Sequence, residues 1–434
     1  MKFKLSNYNT KLIVNNVHTV IFNSFSGQSV VIKNNRIETW EELESMSNID
    51  KTLRLRLFQT GILIDETNNE TKELENRIRE GMNNNDNFIL HINPTLDCNF
   101  NCWYCYENHI KNSKMRENVV SGVRNLIHRI ISNSSIKSIN VGFFGGEPLL
   151  YFKEIVKEII SHVANQCKKY NKSFNIGFTT NGYYLNKEMI AWLSSFPCSF
   201  QITLDGGKEA HDKTRFLKGG MSSYDKIVEN IRQLVRHHLP VIVRINYTEQ
   251  NILTVKNIYF SLKDIIKEYN GFISFDFQRV WQQRNNNPDD TEKIMTSIRE
   301  FFLEKGATVH GNFLLHDVRF PCYADKTNYI LVNYNGDIFK CTARDFTSDN
   351  RVGKLKESGE IEYDSKFLQL REGSKFFRKV CRSCRIAPLC GGGCIQKSYE
   401  RRDYEGCILG YGERDKDNMV INLLNWAITK KDQA

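Results

Sequence analysis

The chain of 434 residues contains no run of about 18 apolar residues, so no membrane-spanning helix is expected. Its opening stretch, MKFKLSNYNTKLIV, has no continuous apolar segment and no small-residue cleavage site, and an export signal is not expected there. No nucleic-acid-binding motif of recognisable spacing occurs, and no basic run is decisive despite a net charge of +10. The densest basic segment, KFFRKVCRSCR (375–385), is interleaved with cysteines, so its charge reads as offsetting anionic, thiolate-bound clusters. These absences point to a soluble, cytoplasmic protein with neither nucleic acid nor membrane as a partner. What the chain does have is size and sulfur. At 40% hydrophobic it can bury a large core in two or three domains. Its 12 cysteines would suggest disulfides in a small secreted protein, but in a long chain without an export signal they read as metal ligands in a reducing compartment.

Three of them, Cys98, Cys102 and Cys105, lie in the run CNFNCWYC, with Tyr104 just before the last. Thiolates are the usual ligands of iron-sulfur clusters. Three of them on a four-iron cluster leave one iron open to a reactant. By spacing alone, a zinc site or three unrelated buried thiols stays open as an alternative. The C-x3-C-x2-C pattern with its aromatic residue resembles the signature of radical S-adenosylmethionine (SAM) enzymes. That resemblance implies a 4Fe-4S cluster whose open iron chelates SAM, which is cleaved to a 5'-deoxyadenosyl radical.

Hydrophobic patterning predicts three domains. In residues 1–87, apolar runs at 17–22 and 29–32 flank a turn and read as a hairpin. Helical stretches at 40–46 and 51–58, a strand at 61–64 and a charged helix at 70–82 follow. This order resembles the winged-helix domain that recognises leader peptides in ribosomal peptide maturation. In residues 88–310, strands are expected at 88–92, 139–144, 174–179, 200–204, 241–245 and 273–277. Helices are expected at 117–131, 153–167, 187–194, 224–237 and 252–269. Six β-α units make an α/β fold, a partial (β/α)6 TIM-like barrel with helices outside and chemistry at the carboxyl ends of its strands. Residues 311–434 break the pattern; they are rich in cysteine and glycine, with one helix expected at 418–429.

Further motifs fall just after these strands. Gly145, Gly146, Glu147 and Pro148 follow the second; glycines allow close approach of backbone to ligand, and the carboxylate can accept from an ammonium group. The third strand ends in Thr179-Thr180-Asn181-Gly182. The fourth ends in Thr203-Leu204-Asp205-Gly206, followed by His211-Asp212 and Arg215. These elements resemble the GGEP, TNG and S-L-D-G-x4-H-D-x2-R motifs of radical SAM enzymes, with Thr203 in place of the more frequent serine. The resemblance implies that GGEP binds the SAM amino group, that polar groups such as Asn181, Thr203, Asp205 and Asn246 hold its ribose, and that Arg215 pairs with its carboxylate. A structural salt bridge for Asp205 and Arg215, and a capping role for Asn246, are the alternatives.

The remaining cysteines read Cys322-x13-Gly336-x4-Cys341, then Cys381-x2-Cys384-x5-Cys390-x3-Cys394, then Cys407. This spacing resembles the SPASM domain, which carries two auxiliary 4Fe-4S clusters, making three clusters in all. By that resemblance Cys381, Cys384, Cys390 and Cys407 fill one auxiliary cluster, and Cys322, Cys341 and Cys394 give three ligands to the other. Where related domains supply a further cysteine upstream, this chain has His316; either it ligates, or that iron is open or otherwise completed. Cys167 and Cys198 read as core thiols.

A deoxyadenosyl radical with auxiliary clusters as electron acceptors implies net oxidation of a substrate. Two branches fit the resemblance. Anaerobic sulfatase maturases form formylglycine; ribosomal peptide maturases, such as the thioether-forming sactipeptide and ranthipeptide synthases, form crosslinks. The first branch places its SAM cysteines near the amino terminus and an aspartate directly after the equivalent of Cys341. Here 97 residues precede Cys98 and Thr342 follows Cys341, so the second branch is favoured. Its implied partners are a precursor peptide with a leader and a low-potential donor such as flavodoxin or ferredoxin. Arg344 and Asp345 are further candidates for substrate handling, an ordinary ion pair being the plainer reading. A non-catalytic redox or metal scaffold and a tRNA-modifying enzyme are the other classes considered.

Overall fold

The computed structural model describes residues 2–33, 50–83, 86–283, 288–310, 318–365, 368 and 378–431. They form two compact units, each built from separated parts of the chain. One comprises Asn85–Asn312 and Asn328–Asp364; the other comprises Met1–Asn84, Phe313–Thr327 and Ser365–Ala434.

The central unit is built on parallel strands β1 (Asn87–Ile92), β2 (Ser138–Phe143), β3 (Ser173–Thr180), β4 (Cys198–Leu204), β5 (Val241–Tyr247) and β6 (Ile273–Arg279). Each lies beside its sequence neighbour, the commonest arrangement for consecutive β-α-β units. The six strands match the expected ones to within two residues. Two short additions were not expected. β7 (Thr308–His310) pairs parallel with β6, and β8 (Tyr329–Val332) pairs parallel with β1. From β8 the sheet continues antiparallel through β9 (Asp337–Phe339), β10 (Gly353–Leu355) and β11 (Ile361–Tyr363), giving 11 strands in one sheet among the described residues. The segment 328–364, read from sequence with the cysteine-rich region, thus belongs to the barrel sheet.

Side-chain alternation divides the two faces of this sheet. Ile139, Val141 and Phe143 of β2 are buried, as are Ile176 and Phe178 of β3 and the alternating apolar residues of β4 to β6. The register sets Phe143 opposite Phe178 and Phe178 opposite Phe200, so their rings stack across three strands with centroids 5.3 and 4.9 Å apart. The helices Glu117–Ser132, Lys157–Tyr170, Lys187–Leu193, Tyr224–Arg236 and Lys256–Glu268 contribute apolar side chains to the same core. The second expected helix is preceded by a single π turn, Phe152–Val156, and the last by a 3-10 turn, Ile252–Thr254. The opposite face is polar and less packed. A cavity of about 170 Å³ lies on it, lined by residues including His91, Gly142, Gly177, Ser199 and Gln201.

In the other unit, the expected hairpin is His18–Asn23 with Gln28–Lys33, and Asn9–Ile13 adds a third antiparallel strand. Phe3–Leu5 pairs with Leu63–Asp65. The helices Lys51–Gln59 and Glu70–Met82 follow their expected spans. The helix expected at 40–46 lies outside the described residues. Buried Glu70 accepts from Asn7 N–H at 2.9 Å and from the Ser6 hydroxyl, fixing the start of its helix to the first strand. The carboxyl-terminal helix, Glu413–Lys431, is longer than the expected 418–429. It is joined to this unit through Arg385, which pairs with Glu413 and Asp417 and donates to Thr10 Oγ1 at 3.0 Å. No helix among the described residues is long and apolar enough to cross a membrane.

Candidate active site

The chemistry-bearing loops of the central unit follow the carboxyl ends of its strands, where parallel α/β sheets gather ligands. β1 runs into the loop holding Cys98, which is buried, Cys102, half-buried, and Cys105, exposed. Burial raises the pKa of the Cys98 and Cys102 thiols. A coordinated metal reverses that preference, because it binds the thiolate. The loop is folded by Cys105 N–H donating to Cys102 O at 3.1 Å and by Phe100 N–H donating to Cys98 Sγ at 3.4 Å.

The loop after β2 packs on the cysteine loop, and its two glycines are required for that contact. Gly145 has φ +97°, and a Cβ there would sit 2.4 Å from Thr95 O; one on Gly146 would sit 2.2 Å from Asp97 O. Gly146 N–H donates to Thr95 O at 3.2 Å and Glu147 N–H to Asp97 O at 2.8 Å. Glu147 is fully buried. Its carboxylate accepts from Thr180 Oγ1 at 2.7 Å, Leu149 N–H at 3.0 Å and Asn181 N–H at 2.8 Å. Burial holds its pKa above the carboxylate range while these donors pull it down. Glu147 therefore ties the loop after β2 to the loop after β3 and caps the short helix Pro148–Tyr151. Asn181 Nδ2 donates to Asn99 Oδ1 at 2.8 Å and lies 3.9 Å from Cys98 Sγ.

A second group centres on the Tyr104 hydroxyl. It donates to Asp205 Oδ2 and accepts from Arg215 Nη1 at 2.7 Å and Asn246 Nδ2 at 3.2 Å. Four residues singled out from the sequence on three different loops and one strand are thus brought together. Burial raises the Asp205 pKa to about 6, against the opposing pull of Arg215 and Tyr104. Thr203 is buried on β4 opposite Arg244 of β5, two residues before Asp205. Asp205 Oδ1, Arg215 Nε and Asn99 Nδ2 are buried without hydrogen-bond partners. Leaving such groups unpaired costs about 1–3 kcal/mol each, more for charged ones. A buried carboxylate oxygen, a guanidinium N–H and an amide N–H beside three thiols are the complement of a polar, zwitterionic ligand, and the residues present fit SAM on an open cluster iron.

The histidine and aspartate of the H-D-x2-R element hold Arg215 in place. Asp205 N–H donates to His211 Nδ1 at 3.2 Å, which leaves Nε2–H to donate to Ser223 Oγ at 3.0 Å; Ser223 Oγ donates to Arg215 O at 2.6 Å. Burial and then Arg215 push the His211 pKa well down, so the ring is neutral, as this chain of donors needs. Asp212 Oδ1 accepts from Ser223 N–H and Tyr224 N–H at 2.8 and 3.0 Å, at the start of helix Tyr224–Arg236. Sequence reasoning placed His211 in a motif without giving it a role, and missed Asn99, Ser223 and Glu107 as site-building residues. Glu107 has its pKa raised to about 8, by burial first and by Asp345 second. The negative charge of Asp345 acts on Glu107 from a distance, while Arg344 Nη1 donates to Ala343 O at 2.8 Å.

In the other unit, Cys381, Cys384, Cys390 and Cys407 line one pocket with Ile386 and Tyr411. Gly391, Gly392 and Gly393, between Cys390 and Cys394, all have positive φ (59°, 85° and 78°), a run open to glycine alone. Burial raises the Cys390 thiol pKa, and the backbone amides of Gly392 and Gly393 oppose it. Cys322 and Cys394 belong to this unit and Cys341 to the central one. His316 lies outside the described residues. Cys167 and Cys198 are buried in a helix and at the start of β4. Among the described residues, no three His, Cys, Asp or Glu side chains converge on a single-ion position.

Residues 92–262 match the family model described as the Radical SAM superfamily. Over 342 residues, 69% of this chain and 85% of the relative, the sequence is 26% identical to a cysteine-type anaerobic sulfatase-maturating enzyme of Clostridium novyi. It is 21% identical over 336 residues, 70% of this chain and 67% of the relative, to the radical SAM cyclopropyl synthase TigE of Paramaledivibacter caminithermalis. Among solved structures, SuiB of Streptococcus suis bound to its precursor peptide SuiA superposes with a TM-score of 0.55 at 14% identity, covering 94% of this chain and 100% of that one. Native anSMEcpe with bound AdoMet and a Cp18Cys peptide gives 0.56 at 19% identity, covering 74% of this chain and 92% of that one.

Proposed function

From a chain that is a radical SAM superfamily enzyme, its domain spanning residues 92–262, we propose a maturase that oxidatively crosslinks a ribosomally made precursor peptide. One observation carries the choice among peptide substrates. The likeness to SuiB extends over 94% of the chain and so includes residues before the barrel, whereas that to anSMEcpe covers 74%. SuiB is described with its precursor peptide bound, and the amino-terminal strands and helices are proposed to serve as the leader-recognition element here. Cys98, Cys102 and Cys105 hold the SAM-binding cluster. Arg215, Asp205, Asn246 and Tyr104 hold the amino-acid and ribose parts of SAM with Asn181, Thr203 and the backbone of Gly145 and Gly146. When bound, cluster and SAM supply a radical that takes one hydrogen atom from the peptide. Two auxiliary 4Fe-4S clusters, on Cys381, Cys384, Cys390 and Cys407 and on Cys322, Cys341 and Cys394, are proposed to accept the electron that the peptide then loses. A low-potential donor such as flavodoxin or ferredoxin supplies the priming electron.

The protein's own contribution is arrangement. The Glu147 and His211 hydrogen-bond chains hold four loops at one end of the sheet, and the cavity on its concave face, lined by both polar and aromatic residues, leaves room for a substrate side chain. A second reading, sulfatase maturation, is favoured by the 26% identity to the Clostridium novyi enzyme. The test is anaerobic reconstitution followed by dithionite, SAM and the peptide encoded beside the gene. Production of 5'-deoxyadenosine with loss of two hydrogens per crosslink is the expected result. Formylglycine on a sulfatase-derived cysteine peptide, with the neighbouring peptide unchanged, would move the assignment to the second reading; no 5'-deoxyadenosine at all would sink both.

A further inference from the structure

Beside the three barrel thiols stands a side chain with no place in the cysteine signature, His109. Its Nε2 is 3.4 Å from Cys105 Sγ, within hydrogen-bond distance for sulfur. We propose that His109 tunes the SAM-binding cluster, donating Nε2–H to the Cys105 thiolate and making the cluster easier to reduce; this rests on the radical SAM reading of Cys98, Cys102 and Cys105.

The backbone, independent of any cluster, brings the two residues together. After Cys105 the chain turns back on the strand end that precedes Cys98. Ile110 N–H donates to Leu96 O at 3.1 Å, Met115 N–H to Pro94 O at 2.9 Å and Asn112 N–H to Asp97 Oδ2 at 2.9 Å. Asn112 completes that turn at φ +58°, and Leu96 N–H donates to Ser113 Oγ at 2.9 Å. The residue next to His109 is therefore pinned, and the imidazole reaches the thiol at the outer edge of the loop. Cys105 is the exposed member of the triplet. Of the other described donors to this loop's sulfurs, Phe100 N–H and Asn181 Nδ2 serve Cys98, while the backbone N–H of Glu107 joins His109 at Cys105.

Hydrogen bonds to cluster sulfurs and solvent exposure are main determinants of iron-sulfur potentials. A donor at a thiolate stabilises the more negative, reduced cluster more than the oxidised one. An imidazole at Cys105 does so at the point where water would otherwise do it variably.

The anaerobically reconstituted holoenzyme supplies the test. The EPR difference with and without SAM isolates the SAM-binding cluster from any others, and a redox titration of that signal gives its midpoint. His109→Phe is expected to lower the ratio of reduced to oxidised cluster about tenfold at a fixed potential, a shift of about 59 mV to the negative for one electron. His109→Gln, which keeps an N–H donor, is expected to recover most of that shift, with iron content equal in all three proteins. An unmoved midpoint in His109→Phe with a normal SAM-difference signal overturns the proposal. Where His109→Phe takes up no cluster, wild-type enzyme carrying [15N]histidine decides. Pulsed EPR of the same signal should show a weakly coupled histidine nitrogen with an exchangeable proton. No histidine coupling, or one strong enough for direct iron ligation, overturns it. Absence of any SAM-difference signal from the wild type instead removes the cluster assignment on which the proposal stands.

Discussion

At the scale of single residues, buried polar groups set both ligand affinity and pH response. Arg215 is held by its backbone through Ser223 and His211 and by its side chain through Tyr104, so its fork points one way. Arg215→Lys, which loses the fork, is expected to weaken SAM binding about tenfold, and Arg215→Met about a hundredfold, with cluster absorbance unchanged. Equilibrium binding under anaerobic conditions checks both. His211→Phe removes two hydrogen bonds and is expected to cost about 1–3 kcal/mol in urea unfolding as well as SAM affinity. His91 supplies the pH effect: burial lowers its pKa to about 4, below its ordinary 6.5. The unfolded chain then binds the proton that the folded ring refuses. The stability His91 contributes is complete above pH 6.5 and is lost as pH falls towards 4, by at most about 3 kcal/mol. The difference in urea midpoint between wild type and His91→Gln, measured from pH 7.5 to 4.5, should narrow or reverse in that window; a constant difference would contradict the shift. The residues on recurrent motifs, Tyr104, Glu147, Asp205 and Arg215, were legible in the sequence. Asn99, His109 and Ser223 were not, because each acts through a contact between loops that only the folded chain creates.

At the scale of elements, glycines decide which loops touch. Gly146→Ala puts a methyl 2.2 Å from the Asp97 carbonyl oxygen, a backbone atom that cannot swing aside, and is expected to displace the cysteine loop and lose one cluster's iron. Iron assay with EPR of the SAM-difference signal measures it. Gly177→Ala is the contrasting change. Nothing lies within 4 Å of the added Cβ on the concave face, so stability should move by no more than about 0.5 kcal/mol while peptide turnover slows. Equal turnover would separate the cavity from substrate binding. The six long strands were readable because their buried face alternates with a polar one over six to eight residues. β7 and β8, three and four residues long, carry too little pattern to stand out, and Tyr329–Val332 is buried at every position. The π turn at Phe152–Val156 was invisible for a related reason: it shifts a helical period by one residue without changing its composition.

At the scale of the whole molecule, sequence order and spatial order part company. Cys384 packs in two apolar clusters, one with Tyr8, Leu74 and Ala387 and one with Phe22, Ile386 and Val420. Cys384→Ser is therefore expected to lower the melting temperature of the anaerobic holoenzyme as well as remove iron. Loss of iron without a thermal shift would show that its packing is unimportant. The three-part division expected from sequence followed composition, which cannot reveal that 328–364 returns to the barrel sheet or that 365–434 is grouped with 1–84. Ser24, whose hydroxyl donates to Arg385 O, stands 361 residues from its acceptor. On a ribosome adding about 5–20 residues per second, the first segment waits roughly 20–70 s for its counterpart to be made. Tyr8, Phe22 and Leu74 spend that interval without the side chains that cover them, so the yield of this protein in a foreign host should depend on chaperone supply during translation as much as on iron and sulfide.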